Sequence, residues 1–116
     1  IRRYEINFSL RAPAVASSGL DQAAVSDNST VQFISCSTNQ GTATINVEAR
    51  VFSSPNNAGA DICTADIVCD VDNQACGGLV AGQIAITTSE IITPTVTSVS
   101  GAPDVVRIHV AMKDDL

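Results

Sequence analysis

From Ala43 to Val51 the chain alternates without a break. Ala43, Ile45, Val47, Ala49 and Val51 are apolar, and Thr44, Asn46, Glu48 and Arg50 stand between them. A repeat of two puts successive side chains on opposite faces of an extended strand, so one face is buried and the other is wetted. A helix would scatter the same residues around its surface. The stretch from Arg2 to Leu10 repeats the pattern, with Tyr4, Ile6, Phe8 and Leu10 on one side and Glu5, Asn7 and Ser9 on the other. So does the run 105–112, where Val106, Ile108, Val110 and Met112 oppose Arg107, His109 and Ala111.

The residue types agree with the period. Val, Ile and Thr supply 34 of the 116 residues, whereas Leu, Met, Glu and Lys, the strong helix formers, supply 9. Stiff β-branched side chains suit a pleated surface and lose rotamer freedom in a helix. Further strands are expected at 31–35, 65–71, 79–89 and 91–100, with Gly82 marking a bulge and Pro94 an edge or a bend. Residues 19–25 read either as one or two helical turns capped by Ser18 or as part of a long connection. Clusters of Pro, Asn, Asp and Gly at 53–61, 72–78 and 101–104 make turns. Seven short strands and no long helix define an all-β, antiparallel β-sandwich, immunoglobulin-like or similar, in a single domain over residues 1–116.

Four cysteines, Cys36, Cys63, Cys69 and Cys76, suit two disulfides and an oxidising compartment. Three pairings are open. Spacing favours Cys69–Cys76, which closes a tight loop before Gly77-Gly78, and Cys36–Cys63. A zinc site would show a close C-x₂₋₄-C pair, which the gaps of 26, 5 and 6 residues do not provide. No long apolar run spans a membrane, and no signal peptide is visible. The chain opens on Ile1 rather than Met, as the product of a removed leader or a larger precursor would. The expected location is extracellular or at the cell surface.

The formal net charge is −6. That balance argues against nucleic acid, whose phosphates need a Lys/Arg footprint, and against an anionic membrane surface. Charge is uneven, however: Arg2, Arg3 and Arg11 gather against Glu5 in the first eleven residues. Any Ser-His-Asp or Cys-His system must use His109, the only histidine, which falls on the polar face of its strand. There is no nucleophile elbow and no phosphate-binding loop, so no enzyme is expected. The run "DVDNQACGG" has the acidic character of a calcium loop, with Asp70, Asp72 and Asn73 as its oxygen donors. Calcium is the one cofactor the sequence offers. Asn7 and Asn28 each head an N-x-S/T sequon, Asn28 in a loop.

From Cys76 onward, "CGGLVAGQIAITTS", "IITPTVTSVSGAPD" and "VVRIHVAMKDD" follow an order that resembles the second half of the ML lipid-recognition family, secreted carriers of sterols and other lipids. The resemblance covers about 40 residues. It implies an apolar ligand between two sheets, lined by residues such as Ile45, Val47, Val51, Ile84, Ile86, Val106, Ile108 and Val110. The residues themselves favour a different role: a structural or adhesive extracellular domain, a subunit of an assembly or filament. In that reading residues 1–13 are a strand-donating arm, and Tyr4, Ile6, Phe8 and Leu10 seat it in its own sheet or in a neighbour's. Expected partners are copies of the chain or another extracellular protein, with no nucleic acid and no direct membrane insertion.

Overall fold

The computed structural model describes residues 2–14 and 22–115. Their elements in chain order are β1 (Arg3–Arg11), β2 (Ala23–Ala24), β3 (Ser29–Thr38), β4 (Thr42–Val51), β5 (Ala60–Asp61), β6 (Ile67–Cys69), β7 (Gln74–Ala75), a 3₁₀ turn (Ala81–Gln83), β8 (Ala85–Ile86), β9 (Glu90–Ser100) and β10 (Val105–Asp114). They form two antiparallel sheets packed as a sandwich. The first runs β1-β10-β3, with β7 and β8 both on the far edge of β3; the second runs β2-β9-β4, with β5 and β6 both on the far edge of β4. The all-β sandwich read from the alternation is the fold.

The inward faces of both sheets meet in one core. Ile34, Ile45, Ile62, Ile86, Ile92, Ile108 and Met112 are its largest fully buried side chains. Burying an Ile or Val side chain is worth about 1.5–3 kcal/mol, and these residues are what hold the sheets face to face. Most of the residues placed at a ligand cavity by the lipid-carrier resemblance, Ile45, Val47, Ile86, Val106, Ile108 and Val110, are buried in this cluster. Ile84 packs at its margin, and Val51 is exposed at the end of β4.

Two crossings between the sheets lie side by side at one end of the sandwich. Residues 39–41 carry the chain from β3 to β4, and residues 101–104 carry it back from β9 to β10. Gly41 and Gly101 face each other there with φ of +62° and +74°, and a Cβ on Gly41 would lie 2.2 Å from the Ser100 carbonyl oxygen. Side chains stitch the crossings together. Asn39 Oδ1 accepts from the Asp104 and Val105 N–H groups, and Gln40 Nε2 donates to the Ala102 carbonyl at 2.7 Å.

Both disulfides differ from the expected pairing. Cys36 bonds Cys69 and Cys63 bonds Cys76, with Cα–Cα distances of 5.5 and 5.9 Å. Strand phase decides the first. Cys36 lies in phase with buried Ile34, and Cys69 with buried Ile67, so both thiols point into the core while Val68 points out. With Cys69 taken by Cys36, Cys76, whose N–H donates to Ile34 O just past β7, bonds the remaining Cys63. Each crosslink ties the β3–β7 margin of one sheet to the β5–β6 margin of the other. Together they staple one side of the sandwich and leave the opposite side, β1 and β2, without a covalent tie.

Two other expectations change. Residues 79–89, read as a strand with a bulge at Gly82, form the 3₁₀ turn and only the two-residue β8. Val80 N–H donates to Ile62 O and Val31 N–H to Ile84 O, so this segment spans from one sheet to the other. The helical turns over 19–25, with Ser18 as cap, lie largely outside the described residues; within them, Ala23–Ala24 is strand. Pro94 does sit beside an open edge. It follows Ile91 and Ile92, the two β9 residues paired with β2, and no described strand pairs with that edge beyond them.

Candidate functional site

β1 lies in its own sheet, paired along its whole length with β10 from Arg3↔Lys113 to Arg11↔Val105, with no shift of register. Its even-numbered residues face the core: Phe8 and Leu10 are buried, and Tyr4 and Ile6 are half-buried at the margin. The strand is fastened at both ends. Asp114 N–H donates to Arg2 O at 2.9 Å and Ala12 N–H to Asp104 O at 2.7 Å. These bonds fix the phase of the ladder: the main-chain groups of Tyr4, Ile6, Phe8 and Leu10 point toward β10. Those of Arg3, Glu5, Asn7, Ser9 and Arg11 point away from it, to an edge that no described strand occupies.

Edge strands in soluble proteins are usually short, bulged or interrupted by Pro. The other margins here obey that rule. β2, β5, β7 and β8 are two residues long, β6 is three, and the open part of β9 contains Pro94 and lies across from a register shift at Thr44/Ile45. β1 is nine residues long, unbulged and free of Pro.

The outer face of this sheet is basic. Arg3, Arg11, Arg107 and Lys113, four of the six Lys and Arg residues, project from β1 and β10 on that face, with Glu5 as the acid among them. His109 Nδ1 and Asn7 Oδ1 are hydrogen-bonded at 2.8 Å, and His109 Nε2 is 3.5 Å from Glu5 Oε1. Asn7, Ser9, Ser35, Ser37, Arg107 and His109 line a shallow depression of about 240 Å³. The outer face of the second sheet has the opposite character: Asn46 Nδ2 donates to Asp61 Oδ1 at 2.9 Å and to Asp66 Oδ1 at 3.1 Å. The basic outer face was partly readable from the phase of 105–112, but its continuity with the N-terminal strand depends on a pairing 102 residues apart, Asn7 with His109.

The acidic loop is organised from within. Asp70 Oδ1 accepts from Asp72 N–H at 2.9 Å, and Gln74 Nε2 reaches both Asp70 oxygens at 3.1 and 3.2 Å. Asp72 and Asn73 are exposed beside it. Among the described residues no group of three or more His, Cys, Asp or Glu is placed to hold a metal ion. Of the two sequons, Asn28 is exposed with Oδ1 accepting from Thr88 N–H at 3.1 Å, and Asn7 lies within β1 itself.

Two disulfides suit an oxidising, extracellular environment. No helix among the described residues is long and apolar enough to cross a membrane. No family model, no curated protein and no solved structure matches the chain.

Proposed function

We propose that this domain is an extracellular structural or adhesive module, a subunit of an assembly, joined to its neighbour by strand pairing at the β1 edge. The edge of β1, unbulged and occupied by no described strand, is the observation that carries this reading. Main-chain donors and acceptors at Arg3, Glu5, Asn7, Ser9 and Arg11 offer a ready ladder to an incoming strand. The strand acts from its place in the sheet, because Phe8 and Leu10 are part of the core and their withdrawal would expose it. Uneven charge supports the same role: a basic face on one sheet and carboxylates on the other favour ordered contacts over random ones.

Ser9→Pro tests the proposal. Ser9 N–H points to the open edge, so proline there removes an outward donor while the bonds to β10 remain. The expected result is concentration-dependent association of the wild type in sedimentation experiments, and its loss in the variant, with circular dichroism unchanged. A wild type that stays monomeric to millimolar concentration, with no strand-donating partner captured by peptides that compete at β1, would overturn the assignment.

A further inference from the structure

We infer that the strand received by the β1 edge is the β1 of a second copy, antiparallel, in a single register that sets Glu5 of each chain opposite Arg11 of the other. The inference rests on β1-edge pairing and specifies the partner and its alignment.

Geometry restricts the choices. Only odd-numbered residues carry outward main-chain groups, so two antiparallel β1 edges must match odd residues with odd residues. The longest overlap centres on Asn7 and sets Arg3 against Arg11 twice, placing like charges directly opposite. Moving the centre to Ile6 pairs Arg3 with Ser9 and Glu5 with Asn7, leaving every charge unmatched. Centring on Phe8 pairs Glu5 with Arg11, Asn7 with Ser9, Ser9 with Asn7 and Arg11 with Glu5. Shorter overlaps centred on Glu5 or Ser9 set Glu5 against Glu5 or leave it out. Among the longer alignments, the Phe8-centred one alone brings opposite charges together, and it does so at both ends.

The core side agrees. In that alignment the even-numbered residues also meet, Ile6 beside Leu10 and Phe8 beside Phe8 on the two-fold axis. Ile6 and Tyr4 are the half-buried residues of the margin, packed against the core. A second β1 would continue the sheet and cover Ile6 further. The contact is isologous and closes on itself, so it yields a pair rather than an open chain. The chain turns away at Ala12, where φ is +45°, and buried Pro13 follows, so the ladder ends at Arg11 on each side.

Charge reversal reads the register. Glu5→Arg and Arg11→Glu are made separately; both side chains are exposed on the outer face, and each variant is checked for an unchanged melting temperature. By sedimentation velocity, each variant alone is expected to associate about tenfold or more weakly than the wild type, since both pairs become repulsive. An equimolar mixture of the two restores two opposite-charge pairs and is expected to recover wild-type affinity within about threefold. A mixture no tighter than its components, or single variants as tight as the wild type, would overturn the register. If Ser9→Pro still abolishes association in that case, pairing at the β1 edge stands and only its alignment falls. A monomeric wild type would overturn pairing between copies, and pairing at the β1 edge would then fall only if no other strand-donating partner is captured.

Discussion

Arg50 Nη2 lies 2.8 Å from Glu48 Oε1, two residues away on the same outer face of β4, and both side chains are nearly covered. The cover is the 52–59 loop. Arg50 Nη1 donates to Pro55 O at 2.9 Å, and Gly59 N–H donates to the other Glu48 oxygen at 2.9 Å. Glu48→Ala strands a guanidinium and a main-chain donor under the loop. We expect a loss of about 2–3 kcal/mol in urea unfolding, with an unchanged dependence on denaturant. Arg50→Lys keeps the charge but cannot span both acceptors, and should lose roughly half as much.

The disulfide pairing is directly testable. Proteolysis under non-reducing conditions should release peptides linking Cys36 to Cys69 and Cys63 to Cys76, and none linking Cys69 to Cys76. Replacing either bridged pair with Ala should cost about 3–4 kcal/mol in the chain-entropy model, the loop of 33 residues slightly more than that of 13.

Gly41→Ala addresses the paired crossings. An L residue at φ +62° costs about 1–2 kcal/mol before the approach to Ser100 O is counted. Thermal unfolding should show a drop in Tm of several degrees, and Gly82→Ala, with open space around its Cα and an ordinary φ, should show almost none.

Asp114 separates a buried anchor from a surface one. Its carboxylate is buried and accepts Arg2 N–H at 2.8 Å, while the Arg2 side chain, which is 60% exposed, reaches the other oxygen at 3.3 Å. Asp114→Ala should lose about 1–2 kcal/mol and speed amide exchange at the start of β1. Arg2→Ala keeps the main-chain bond and should change stability by less than about 0.5 kcal/mol.

Alternation made β1, β4 and β10 legible, because each has one dry face and one wet one. β3 was seen only at 31–35, because its ends carry Ser29 and Thr38, polar residues that are nevertheless buried. Their hydroxyls are satisfied locally, Ser29 Oγ on Asp27 O and Thr38 Oγ1 on Gly41 O. Residues 79–89 were misread because Val80, Ile84 and Ile86 alternate like a strand while bridging two sheets. Sequence proximity of cysteines misled where strand phase would have served: Cys36 with Ile34 and Cys69 with Ile67 already pointed the same way. The exposed odd positions of β1 were readable from the start. That they lie on a margin was not, since it depends on β10 being the sole neighbour of β1 among the described strands, and that pairing closes nearly the whole chain length.

The two sulfur bridges bind the sheets as a spine binds the covers of a book. Breathing of such a body cannot be symmetric; the covers part at the fore-edge, where β1 and β2 lie, and stay shut along β3, β6 and β7. A neighbour gripping the fore-edge would therefore act as a clasp, and each copy in an assembly would be stiffer than the same chain alone.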